Sequence, residues 1–193
     1  IEREEMLIMK KMNSKGFTLI ELLAVIVIMG ILMMVAIPAM TRYIENSRKD
    51  TFVDTAKQYA NAVKNMWASD SLKCNLKTGG TAVASAVPAG IYYVKVDSEE
   101  NANNLLESGG NSSWGNAPIE GYVKVQVYDA GDTVDGKVIK NAQTVYSVQI
   151  ADTAKHGIKS FIESDTLSRG DIKTSGVDQL TSLPADGKEC VEQ

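Results

Sequence analysis

Glu21 is the residue whose chemistry most demands an explanation. It stands at the head of a run over residues 22–40, LLAVIVIMGILMMVAIPAM, that contains no charge at all. A carboxylate held ionised in such surroundings costs about 2.5–3.5 kcal/mol on insertion scales. It therefore calls for a cationic partner, or else for a snorkelling position at a membrane surface. The remaining chemistry is sparse. One histidine and two cysteines are too few for a Cys/His zinc site. His156 sits in no nucleophile pattern with Ser, Cys or a carboxylate, and reads as an ordinary surface or loop residue. Asp129, Asp132 and Asp135 invite a calcium reading, but their spacing by threes lacks the alternation and the bidentate Glu of an EF-hand loop. They read as a solvated hairpin loop. Neither a Walker-type phosphate loop nor a Ser-centred elbow is present in the sequence. No active site is expected, no cofactor or metal is implied, and the chain does not read as an enzyme.

Composition narrows the classes further. The 193 residues suit one domain plus an appendage, and 44% apolar with 23% charged residues is neither a disordered nor a collagen-like balance. Twenty Lys and Arg against 24 Asp and Glu give a net charge of -4, with no basic surplus for nucleic acid. Direct nucleic-acid binding is not expected.

The charge-free run is about what a helix needs to cross a bilayer core of roughly 30 Å. Lys10, Lys11 and Lys15 precede it and favour a cytoplasmic N-terminus, while Arg42, Arg48 and Lys49 beyond it weaken that bias. Ala36 and Ala39 mimic a signal-cleavage site, yet Pro38 lies between them and the helical pattern runs on. The reading is a single-pass membrane anchor followed by one exported soluble domain. In that oxidising setting Cys74 and Cys190 read either as a disulfide or as two free thiols. Closing so long a loop would contribute up to roughly 5 kcal/mol.

The stretch Lys15-Gly16-Phe17-Thr18-Leu19-Ile20-Glu21-Leu22-Leu23 resembles the processing site of type IV prepilins and related pseudopilins. The resemblance implies a basic leader cut between Gly16 and Phe17 by a prepilin peptidase that also N-methylates Phe17. It makes Glu21 the acid that pairs with the Phe17 amine of a neighbouring subunit, removing an unpaired charge and setting axial register. Pro38 falls where many members of the family carry a helix-loosening proline. A proline there removes one backbone bond, and it reads equally as a simple kink. Some pilins clamp their C-terminal region by a disulfide, although Cys74 and Cys190 match no family motif residue by residue.

Beyond Pro38 an amphipathic pattern continues through Met40, Tyr43, Ile44, Phe52, Ala56, Tyr59, Val63, Met66 and Trp67 at three- and four-residue steps. The pattern predicts one helix over about residues 18–72. Residues 74–88 read as a loop, 91–96 as a strand, and 98–107 as a short helix with Ser98 as N-cap and Leu105 and Leu106 docking. The segments 122–128 and 144–150 alternate as two strands of an antiparallel hairpin, joined by a polar connection with a turn at Asp135-Gly136. Trp114-Gly115-Asn116-Ala117-Pro118 reads as an aromatic turn on the sheet, with a faint likeness to the Trp-Gly-x-Pro turn of major pseudopilins. The tail over 164–193 reads as loop-like.

These readings combine into an α+β, type IV pilin-like fold: a long N-terminal helix packed on a small antiparallel sheet. The expected segments are a cleaved leader 1–16, an apolar half-helix 17–40, an amphipathic half-helix 41–73 and a β-rich head 74–193. By resemblance the chain is a structural subunit that polymerises into a surface filament for adhesion, motility or DNA uptake. Its implied partners are the prepilin peptidase/methyltransferase, further copies of itself, the membrane, and a pilus assembly platform whose separate ATPase supplies the energy. The alternative is a pseudopilin of a type II secretion or competence machine. Less favoured is a single-pass membrane binding protein that never polymerises.

Overall fold

The computed structural model describes residues 16–76, 79–100, 103, 105–106, 110–134 and 136–193. The expected leader lies outside the described residues except for Gly16, as does Asp135 of the hairpin loop. Two compact units divide the chain, Ile1–Tyr43 and Ile44–Gln193. Helix α1, Leu19–Ala68, begins in the first and supplies the packing helix of the second.

The sequence pattern extends α1 to about residue 72, but the helix ends at Ala68. Asp70 adopts a left-handed conformation, φ 54°. The Ser71 N–H donates to the Met66 carbonyl at 3.0 Å and the Asp70 N–H to Trp67 at 3.3 Å. That is a Schellman stop, with Asp standing where Gly usually does. The Asp70 carboxylate then accepts both the N–H and the Oγ–H of Ser85, at 2.7 and 2.8 Å.

In the second unit, Phe52, Ala56, Tyr59, Ala60 and Val63 recur on one stripe of α1 and are buried. The stripe meets Tyr92, Val94 and Val96 of β3 (Gly90–Asp97), Val123 and Val125 of β4 (Ile119–Tyr128), and Val148 and Ile150 of β7 (Gln143–Asp152). Alternation with period two puts these residues on one face of the sheet. β3 and β7 flank β4 antiparallel, with Val94 opposite Val123 and Val123 opposite Val148. On the other face Tyr93 packs edge-on to Tyr122, and Phe161 tilts against Tyr93. Lys95 bridges Asp97 at 3.1 Å and Glu120 at 3.4 Å, and the hydrogen bond to Asp97 chiefly raises its pKa.

Residues 74–88, expected as a loop, instead carry β1 (Leu72–Asn75), β2 (Thr81–Val83) and a 3-10 turn at Ala84–Ala86. The connection between β4 and β7 holds a small hairpin, β5 (Thr133–Val134) with β6 (Lys137–Val138). After β7 come β8 (Gly157–Ile158), β9 (Ile162–Glu163), a 3-10 turn at Arg169–Asp171 and β10 (Ile172–Lys173). The tail then contributes β11, Lys188–Glu192. The strand order is β10-β8-β7-β4-β3-β11-β1-β2, with β9 paired to β7. β11 runs parallel to β3 and antiparallel to β1, so the sheet is mixed and mostly antiparallel.

The helix expected over 98–107 falls partly outside the described residues. Where the chain is described, Asp97 rather than Ser98 caps the turn: its Oδ1 accepts the N–H groups of Glu99 and Glu100, both at 3.1 Å. Ser98 Oγ accepts the Ile119 N–H at 2.8 Å, tying the turn to β4. Leu105 is buried and Leu106 packs against the core.

Candidate functional site

The segment that opens with Gly16 is organised by Thr18 and Glu21. One carboxylate oxygen of Glu21 accepts both the Thr18 N–H and its Oγ–H, each at 2.8 Å. The Glu21 N–H donates back to Thr18 Oγ1 at 3.3 Å. This is a capping box: Thr18 serves as N-cap of α1, Glu21 occupies N3, and each satisfies the other's backbone. The T-x-x-E spacing of a capping box is present in the sequence at Thr18 and Glu21. Here the Phe17 nitrogen is the amide of the Gly16–Phe17 peptide bond and not a free amine. Phe17 is 87% exposed. A Cβ built on Gly16 has nothing within 4 Å. The fold itself thus places no demand for glycine at that position.

From Leu19 to Ile37 the large apolar side chains stand exposed on every side of the helix, Met34 at 76% and Leu22 at 63%. An 18-residue window of α1 reaches a mean hydropathy of 2.9 with none of it buried. Residues 19–43 rise about 37 Å at 1.5 Å per residue, enough to cross a hydrocarbon core of roughly 30 Å. A helix apolar all round calls for a cover of lipid or of other helices. Pro38 lies inside the helix without ending it. Lacking an N–H, it leaves the Met34 carbonyl without its usual helical donor. Thr41 Oγ1 donates to the Ile37 carbonyl at 3.0 Å within the same turn.

Cys74 and Cys190 are far from that segment in sequence, 116 residues apart from one another, and joined by a disulfide. The sequence pattern places both in loops, whereas both lie in strands, directly opposite across β1 and β11, and both are fully buried.

The other residues singled out in the sequence take ordinary structural work. The Asp132 carboxylate accepts the Asp129 N–H at 2.8 Å and the Asp132 N–H donates to the Asp129 carbonyl at 3.2 Å, closing a turn in the hairpin connection. Trp114 packs its ring 5.7 Å from Phe52 and stacks on His156 at 4.6 Å. His156 is a half-buried loop residue between β7 and β8, and its Nδ1 lies 2.8 Å from Asp152, a buried carboxylate that no local pattern in the sequence marks. Asp152 also accepts Ser112 Oγ–H at 2.6 Å and the His156 N–H at 2.9 Å. Ser112 bonds the carboxylate and not the imidazole, so the three do not form a nucleophile relay. Among the described residues no group of three His, Cys, Asp or Glu is arranged to hold a metal ion.

Residues 11–37 match the family model of the prokaryotic N-terminal methylation motif. No curated protein and no solved structure matches the chain. The match covers the capped helix start, the run of uncovered apolar side chains and its approach to Pro38. The family described by this motif is one of structural subunits. The chain bears the N-terminal signature of type IV pilin and prepilin-like proteins.

Proposed function

We propose that the chain is a structural subunit of a type IV pilus. A prepilin peptidase cuts it between Gly16 and Phe17 and methylates the new amine. The membrane stores the matured subunit, N-terminus towards the cytoplasm, until an assembly platform with its own ATPase moves it into an extracellular filament. Residues 17–40 are the part that changes surroundings, from lipid to the helices of other subunits. The amphipathic half-helix, ending at Ala68, joins that segment to the β-rich head. Glu21 exchanges its Thr18 cap for the Phe17 amine of a neighbour, and Pro38 lets the helix loosen as subunits pack.

The observation that carries this reading is the uncovered helix inside the matched motif. Over 19–37 it presents large apolar side chains to its surroundings, with one acid at its start. Lipid and a bundle of like helices are the two surroundings that bury such a surface without pairing backbone groups.

Gly16→Val tests the first step. The fold has space for the new side chain, so the variant should be made and inserted normally. Cleavage should fall at least about 100-fold, because β-branched bulk sits beside the bond to be cut. Intact-mass spectrometry of the membrane fraction reads the outcome. Electron microscopy of sheared surface material, with peptide identification, tests the filament itself. Filament protein that still carries Lys15 would contradict the assignment.

A further inference from the structure

We propose that β11 is a redox-latched strand: when Cys74–Cys190 is reduced, residues 188–192 leave the sheet while α1 and the β3–β4–β7 ladder stay folded. The claim concerns the head alone and does not depend on the filament reading.

Of the five side chains of β11, Cys190 is fully buried, Lys188 and Glu189 are half-buried, and Val191 and Glu192 are exposed. β4 by contrast buries Ile119, Tyr122, Val123 and Val125. Burial of apolar surface is the main force that holds a strand in place, and β11 draws very little of it. Its ladders are short, matching Leu72, Lys73 and Cys74 on one side and Tyr92, Tyr93 and Val94 on the other. β4 pairs with β7 along its whole length, from Ile119 opposite Asp152 to Tyr128 opposite Gln143. Beyond the ladder, Asn103 Oδ1 accepts the Glu192 N–H at 3.0 Å, and Gln193 donates to the Ser71 and Asp70 carbonyls at 3.0 and 2.6 Å. Such bonds exchange readily with water and add little net hold.

The disulfide is therefore the strongest restraint on β11. It links the strand to β1, and β1 begins at Leu72, directly after the Schellman stop at Asp70 and Ser71. β1 keeps the fully buried Leu72 in the core and its own pairing with β2, so it remains when β11 goes. The core of Phe52, Tyr59, Val123, Val148 and Ile150 draws no residue from β11 other than Cys190. Sub-global opening follows such boundaries between weakly and strongly buried segments.

The chemistry balances with an external dithiol. One of its thiolates attacks a cysteine sulfur and forms a mixed disulfide. The second thiolate then displaces that cysteine, leaving a cyclic disulfide and two protein thiols; two electrons and two protons have passed to the protein. Both protein sulfurs are buried, so the attack waits on an opening of β11.

Hydrogen–deuterium exchange on the full chain in detergent micelles, with and without dithiothreitol, tests the proposal. After reduction, peptides covering 188–192 and 72–75 should exchange at least about tenfold faster, while those covering 119–128 and 143–152 stay within about twofold of the oxidised protein. Cys190→Ser should reproduce that pattern without reductant. If the variant fails to fold, reduction of the folded wild type still reads the same peptides. Unchanged exchange at 188–192 after complete reduction would overturn the proposal. So would equal loss of protection throughout the sheet, which would make the head a single cooperative unit.

Discussion

Glu21→Ala should yield a chain that is made, inserted and cleaved at normal levels yet fails to enter filaments. In the subunit the carboxylate does little more than complete a capping box with Thr18, and losing such a cap costs about 0.5–2 kcal/mol of local helix stability. A helix whose remaining start is Leu19, Ile20 and Leu22 stays in the membrane without it. Insertion should be equal or easier, by the 2.5–3.5 kcal/mol or so that a buried acid costs. Assembly is different. The Phe17 amine of each subunit would enter an apolar bundle unpaired, and breaking a buried pair from one side costs about 3–5 kcal/mol. At about 1.4 kcal/mol per factor of ten, filament yield should fall at least about 100-fold. Quantitative blotting of sheared and membrane fractions separates the two effects. Filaments of normal number and length from Glu21→Ala subunits alone would refute the charge pair.

Gly121→Ala should unfold the head or come close to it. Gly121 lies in β4 opposite Ile150 of β7. A Cβ built there falls 2.2 Å from the Gln149 carbonyl oxygen and 2.8 Å from the Ile150 Cα. The obstruction is backbone in the centre of a sheet, so no side-chain rotation relieves it. Strand β7 must move away from β4, breaking the longest ladder in the molecule and opening the contact of Val123 with Val148. Overpacking of this kind costs about 1–3 kcal/mol when side chains can yield, and here the cost should exceed that range. For a domain of this size about 3 kcal/mol lowers the melting temperature by roughly 6–12 °C. Circular dichroism melts of the two proteins give the comparison. A shift under about 2 °C would mean that β4 and β7 part more easily than their packing implies.

The parts of the fold that sequence revealed are those whose signal is local. Val123, Val125 and Val127 alternate with Lys124 and Gln126, and any backbone that buries one set exposes the other. The stripe through Phe52, Ala56, Tyr59 and Val63 states its period in the same way. What stayed hidden depends on distant partners. β11 reads Lys-Glu-Cys-Val-Glu, with too few apolar residues to announce a strand, and its neighbours come from residues 72–74 and 92–94. The stop after Ala68 escaped because Asp70, not glycine, takes the left-handed position. Asp152 escaped because Ser112, one of the groups that satisfy it, lies 40 residues away. At the candidate site Gly16, Phe17, Glu21 and Pro38 stood out by motif. The tie between Thr18 and Glu21 was present in the spacing but overshadowed by the larger question of where a charge can rest.

The position of β11 bears on how fast the head can form. A ribosome delivers this chain from Leu19 towards Glu192, and every other strand appears before β11 does. Yet β11 sits inside the sheet, between β3 and β1. Until it arrives, β1 and β3 each present an unsatisfied edge, and only a partner 116 residues from Cys74 closes the gap. Pairings over such separations raise contact order and slow folding, because loop entropy must be lost before the contact forms. The head therefore spends its synthesis with two sticky edges in its middle, a period in which neighbouring nascent chains compete for the vacancy that residues 188–192 will fill.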